Sequence, residues 1–332
     1  MLNPNLKLNP KIFNDDIEQA FVRKGFGQGL LLAGEANKNV VGLCADLTES
    51  TRMNFFKERF PERFVEVGVA EQNLVATASG LAAMGKIPFC SSYAMFSPGR
   101  NWEQIRTTIA YNDRPVKIIS SHAGISVGPD GGTHQALEDI ALMRVMPNMD
   151  VISPCDALEA LRATLLLANT NKPGYLRLTR EKTPVITTEE TPMQIGKAEI
   201  YWLPDTGLAS VGIIATGPLL YRAILVAKEL EAEGLKTKVM NLSSIKPIDA
   251  SAIIALAKET KAIVTVEEHQ IMGGMGSAVA EVLAQNYPAP IEFVGVQDKF
   301  GQSGAPDELI EHYGLGKDAI KEAVKKVLAR KV

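Results

Sequence analysis

Short apolar runs alternate with stretches of helical periodicity along almost the whole sequence, and this alternation constrains the fold more than any other feature. Runs such as NVVGLCADL, IPFCSSYA and VKIISSHAG are apolar at consecutive positions, as strands buried on both faces of a parallel sheet must be. Between them the spacing predicts helices over 16–34, 71–84, 102–111 and 157–168, with a short strand at 63–67. GGTHQALEDIALMRV is expected to open a further helix, MDVISPCD to end a strand and GYLRLTR to close the block. The Thr/Pro/Glu-rich stretch TPVITTEETP (183–192) breaks the rhythm and reads as a linker. A smaller α/β pattern follows: ASVGIIATG, a helix over 218–233, LKTKVMNLS, AIVTVEE, a helix from Gly276, IEFVGVQD and an amphipathic, lysine-rich helix over 317–331. The expected architecture is α/β with two parallel-sheet domains, 1–188 and 193–332, which suits a chain of 332 residues.

Charge and composition narrow the function. Lys+Arg 35 against Asp+Glu 38 leaves a net charge of −3, unsuited to a sequence-independent hold on nucleic acid. The apolar runs are too short to span a bilayer, and the N-terminus shows no basic region leading into an apolar one. Three well-separated cysteines, Cys44, Cys90 and Cys155, form neither a disulfide framework nor a CxxC metal site, which fits a reducing compartment. A cytoplasmic enzyme is the expectation.

Five stretches can carry chemistry. SHAGISVGPDGGTHQ (121–135) places His122, Asp130 and His134 among Gly124, Gly128, Gly131 and Gly132, directly after a strand. Open α/β sheets bind ligands there, outside the carboxyl ends of their strands. Thr133 or the glycines can cap the helix expected to carry His134; a plain surface loop is the other reading. In VEVGVAEQN, Glu71 stands at the start of a small-residue helix, either as a working carboxylate or as a complement to the helix dipole. CADLTES puts Asp46, Thr48 and Ser50 after a buried strand, where each can cap a helix. Arg177 and Arg180 end a strand, as oxyanion forks or as surface ion pairs. EEHQIMGGMGSAV looks like a phosphate loop but matches neither GxGxxG nor a Walker A, so an ordinary strand-to-helix turn is favoured.

In this order, ADL–x–x–S, VGVAEQN, SSYAMF and GPDGGTHQ resemble transketolase, specifically its C-terminal half, from about Asp16 to the end. The resemblance implies a pyrimidine-binding domain followed by a transketolase C-terminal domain. It implies that Glu71 is catalytic, hydrogen-bonding a pyrimidine-ring nitrogen of thiamine diphosphate, and that Phe96 stacks on that ring with Tyr93 beside it. Asp46 is placed near the cofactor. Arg23, Ser50, His122 and Arg180 match the residues that hold the sugar phosphate, and Asp130 and His134 those that contact sugar hydroxyls, His134 also acting in catalysis.

Two departures accompany the match. Gly99 stands where the family often has an aromatic, and nothing resembles the diphosphate-binding half with its metal-holding GDG…N segment. The implied protein is therefore one subunit of a split transketolase that moves a two-carbon ketol unit between sugar phosphates. Its diphosphate-binding partner supplies the Mg2+ ligands, and the assembly is a dimer of heterodimers. Half of a deoxyxylulose-phosphate synthase and the β subunit of a 2-oxoacid dehydrogenase are the alternatives. A phosphate cage argues against the second, since a 2-oxoacid carries no phosphate.

Overall fold

The computed structural model describes residues 1–331. Its strands are β1 (Gln19–Phe21), β2 (Val40–Cys44), β3 (Phe64–Glu66), β4 (Ile87–Tyr93), β5 (Lys117–Ser121), β6 (Asp150–Ile152), β7 (Gly174–Arg177), β8 (Lys182–Pro184), β9 (Glu199–Trp202), β10 (Val211–Ala215), β11 (Thr237–Asn241), β12 (Ser244–Lys246), β13 (Ile263–Gln270) and β14 (Ile291–Val296). Seven of them form one sheet in the order β12-β6-β7-β5-β4-β2-β3, and five a second in the order β14-β13-β10-β11-β9. Within these two sheets all pairings are parallel except those of the edge strands β12 and β9, and β1 and β8 form a separate antiparallel pair. The α/β expectation holds, with one antiparallel edge strand added to each sheet.

The strands alternate their side chains between two cores, as period-2 geometry requires. Val40 and Cys44 of β2 pack against α1 (Val22–Ala36) and α2 (Asn54–Arg59). Val41 and Leu43 face α3 (Glu71–Ala83) through Leu74, Val75 and Ala78. The same α3-side core continues without a break into Ile214 and Met240 of the second sheet and Met275 of the helix that follows β13. The chain crosses between the sheets twice more. Leu2 bridges Trp202, with Leu6 and Ile12 buried beside the second sheet, while β12 returns to the edge of the first.

Three local expectations are corrected. The helix expected over 16–34 begins only at Val22, because residues 19–21 are drawn out as β1 to pair with β8. The stretch 183–192 is no free linker: the buried Asp156 carboxylate accepts Ile186 N at 2.9 Å, Thr187 N at 2.7 Å and Thr187 Oγ1 at 2.9 Å. Asn9 Nδ2 also donates to Val185 O at 2.6 Å. None of Asp46, Thr48 or Ser50 caps a helix, since α2 starts after Met53 without a side-chain cap.

Candidate active site

Glu71 opens α3 and is 4% exposed. Its carboxylate accepts Arg100 Nη1 at 3.1 Å and Ser92 Oγ at 3.4 Å, and its carbonyl accepts Asn101 Nδ2 at 2.8 Å. The carboxylate is thus held by polar partners as well as standing in the first turn of α3. Ser92, near the carboxyl end of β4, lies beside the start of α3, and the turn after Phe96 brings Arg100 back over it. The Arg100 guanidinium also covers the Phe96 ring at 4.2 Å from its centroid. Gly99 sits so close to the Met95 carbonyl that no side chain fits, which accounts for the missing aromatic. Arg100 takes over that stretch of wall.

The rings form a continuous chain. His134 meets Phe96 edge-on at 5.4 Å, Tyr93 stacks beside Phe96 at 6.2 Å, and Tyr93 lies flat on His122 at 3.8 Å. Tyr93 is thus the neighbour of Phe96 that was expected, but its nearest ring is His122. His122 holds a left-handed backbone, φ 58°, and bonds Ser121 Oγ through Nδ1 at 2.8 Å. A non-glycine in that region stores strain, which concentrates at functional sites. Burial, helped by the charges of Arg23 and Arg180, pushes the His122 pKa down to about 3, so the imidazole is neutral near pH 7. His134 does not ride on a helix, another correction. The helix begins at Asp139, residues 132–134 form a turn, and the Thr133 hydroxyl bonds His134 Nδ1 at 3.0 Å instead of capping.

Beyond His122 the site becomes cationic. Arg23, buried at the start of α1, donates to the Arg180 carbonyl and lies 4.2 Å over Phe21, yet its Nε is buried with no partner. Burial and the charge of Arg52 push the Arg23 pKa down to about 10. Arg52, unpredicted, also has a left-handed backbone and a buried, unpartnered Nε. Its turn, which carries Ser50, packs on Gly27 one helical turn beyond Arg23, where a Cβ would meet Arg52 O at 2.6 Å. Arg180 bonds Val127 O at 2.6 Å and approaches Asp130 at 3.8 Å. Three guanidiniums with unspent donors beside a neutral imidazole suit a dianion.

Two candidates fall outside this group. Asp46 is exposed at the end of β2, with its amide donating to Glu66 Oε1 at 2.7 Å, and no side-chain contact joins it to Glu71 or Phe96. Arg177 is wholly internal and faces no cleft: its Nε donates to Asp139 at 2.8 Å and its Nη2 to Glu268 O at 2.8 Å. Tyr175 OH donates to the same Asp139 oxygen at 2.7 Å. Burial, the largest influence, pushes Asp139 up, but the Arg177 charge, His269 and the hydrogen bonds from Arg177 and Tyr175 together outweigh it and hold the carboxyl below its usual range. Arg177→Met is expected to cost about 3–5 kcal/mol in denaturant unfolding, because it strands a buried charge; a loss under 1 kcal/mol contradicts this. The EEHQIMGGMGSAV segment is an ordinary strand-to-helix turn. Glu267 occupies its amides, accepting Met275 N at 2.6 Å and Gly276 N at 2.8 Å.

This geometry has relatives. A family model described as the transketolase pyrimidine binding domain matches residues 18–185, and one described as the transketolase C-terminal domain matches 202–320. The chain belongs to the transketolase family. A putative transketolase C-terminal section from Methanocaldococcus jannaschii is 43% identical, over 91% of this chain and 95% of its own length. The 6-deoxy-6-sulfo-D-fructose transketolase subunit SqwH of a Clostridium species is 37% identical, over 96% and 98%. A solved split gene transketolase, an inactive beta4 tetramer, superposes with a TM-score of 0.87 at 42% identity, covering 94% of this chain and 99% of that one. The relatives it matches over nearly their whole length include subunits of split transketolases, and its order of pyrimidine-binding and C-terminal domains is the one its motifs implied.

Proposed function

We propose that this chain is the pyrimidine-side subunit of a two-subunit transketolase, transferring a two-carbon ketol unit from a ketose phosphate to an aldose phosphate with thiamine diphosphate. The observation that carries the reading is one run of neighbouring side chains in which a buried carboxylate and an aromatic ring, Glu71 and Phe96, adjoin His122, Arg23 and Arg180 through Tyr93. The donor set fits the pyrimidine end of the cofactor. Glu71 offers a carboxylate oxygen to a ring nitrogen, Phe96 offers a half-buried ring face, and Asn101 Oδ1, on the residue that binds the Glu71 carbonyl, is buried without a partner. When bound, the cofactor supplies the electron sink for the ketol fragment.

The chain's residues then divide the work. Glu71 holds a proton shared with the ring nitrogen, and Arg100, its present counter-ion, yields that oxygen. His134 and Asp130 orient sugar hydroxyls, with His134 placed nearest the reacting end by its contact with Phe96. Arg23, Arg180, Ser50 and the neutral His122 hold the phosphate, and Arg52 joins them. Asp46 serves at the cofactor side of the subunit contact. We assign the divalent metal ligands to a diphosphate-binding partner, the assembly to a dimer of heterodimers, and the reaction to cytoplasmic pentose phosphate metabolism. No helix among the described residues is long and apolar enough to cross a membrane.

Reconstitution with a diphosphate-binding subunit and an assay of ketol transfer tests the reading. Within it, Arg180→Ala and His122→Ala are expected to raise KM for phosphorylated sugars by roughly 10–150-fold, the equivalent of 1.5–3 kcal/mol for a lost charge-assisted contact. KM for unphosphorylated acceptors stays within a few-fold. Equal losses on both substrate types remove these residues from the phosphate site.

A further inference from the structure

The loop that carries Asp130 and His134 is glycine-rich, yet its amides do not cradle an anion. Gly124 N donates to Ala136 O, Gly131 N to Gly128 O, His134 N to Gly131 O, and Ser126 N to the Glu268 carboxylate at 2.6 Å. The glycines answer a different need. At each one, atoms of the second domain stand where a Cβ would project: the Glu268 carboxylate at Gly124, Pro306 Cγ at 2.9 Å from the Gly128 position, Ser303 Oγ at 2.6 Å from Gly131, and Gly301 O at 2.6 Å from Gly132. Gly124, Gly128 and Gly131 also have φ of 93°, 76° and 79°, which a side chain would strain.

Side chains complete the clamp. Gln135, 3% exposed, donates through Nε2 to Ile125 O at 3.0 Å inside the loop and to Gln302 O at 2.9 Å in the second domain. Gln270 N, at the end of β13, donates to Leu137 O at 2.9 Å. Ile125 and Leu137, on either side of the substrate-facing residues, are buried in the core of the second domain. From the second domain these contacts come from β13 and residues 301–306, while from the first domain Arg180 bonds Val127 O and approaches Asp130.

We infer that the second domain is the template of the substrate loop, with Glu268 as a positioning residue that sets Asp130 and His134 through the Ser126 amide. The substrate role of those two residues rests on the function proposed above; the template does not. Displacing a substrate-orienting group by a fraction of an ångström weakens binding without removing the chemistry. Glu268 itself touches no reacting atom, and burial pushes its carboxyl up. A glutamine there keeps an oxygen to accept Ser126 N–H.

The test measures amide hydrogen exchange on the purified chain and steady-state kinetics on the reconstituted enzyme. Glu268→Ala is expected to speed exchange at residues 125–134 at least about tenfold, the scale of one lost hydrogen bond to a charged group, while β2 and α3 keep their protection. It raises KM for the sugar phosphate by about tenfold, with kcat and cofactor affinity within about twofold. Glu268→Gln restores both. Gly132→Ala, which wedges a methyl against Gly301 O, reproduces the loop phenotype by an independent route and carries the test if Glu268→Ala does not fold. Loop exchange unchanged in the soluble variants overturns the inference, as does a fall in kcat and Tm with loop protection intact. If the exchange responds but the wild-type assembly shows no ketol transfer, the template stands and the proposed function falls.

Discussion

Replacing Glu71 with alanine in the reconstituted enzyme is expected to lower kcat by roughly 10²–10⁴-fold while leaving the subunit folded. Glu71 presents a buried carboxylate beside the half-buried ring of Phe96 at the carboxyl end of the first sheet. Its role is to share a proton with a weakly basic ring, an interaction worth most in the transition state, so the loss falls on kcat more than on KM. The fold tolerates the change because the charge left behind belongs to Arg100, whose side chain is 52% exposed and regains water when the pair is broken. Stability within about 1 kcal/mol of wild type is the matching expectation. Turnover within a few-fold of wild type removes Glu71 from the chemistry.

The elements legible in the sequence are those whose cause is local. The helix predicted over 157–168 is found as Ala157–Ala168 because Asp156 announces its start, accepting Glu159 N at 2.8 Å. β2 is buried at every residue, as its unbroken apolar run VVGLC requires. The helix Ala250–Thr260 has the same kind of signal in Asp249, which accepts Ala252 N at 3.1 Å, although it is not among the predicted elements. Where distant contacts decide, the pattern misleads. Residues 19–21 leave their helix for a strand partner at 182–184, and His134 leaves its helix because Gln135 is pinned to Gln302.

The site divides in the same way. Glu71, Phe96, His122, Asp130, His134, Arg23 and Arg180 stand in motifs and can be named in advance. Arg100 and Arg52 act through turns whose shape only the fold reveals. A weak signal existed for Arg100, an arginine four residues after Phe96 in a tight Ser-Pro-Gly turn. Arg177 illustrates the opposite error, since a strand-end arginine looks the same in sequence whether it meets a ligand or a buried aspartate.

The isolated chain is expected to show neither ketol transfer nor tight binding of thiamine diphosphate with magnesium, and both are expected to return when a diphosphate-binding subunit is added. The cofactor has two ends. Glu71 and Phe96 suit the pyrimidine, but a diphosphate carries charge that a divalent cation must neutralise, and hard cations take several oxygen ligands at once. Among the described residues no group of three or more His, Cys, Asp or Glu is gathered to hold one. Arg23, Arg52 and Arg180 lie beyond Tyr93 on the side given to the sugar phosphate, and Arg100 is paired with Glu71. Calorimetric titration of the cofactor and magnesium into the chain alone, then into the mixture with its partner, separates the cases. The expected contrast is at least about a hundredfold in Kd, or about 2.7 kcal/mol. Tight binding accompanied by ketol transfer from the chain alone refutes the two-subunit reading.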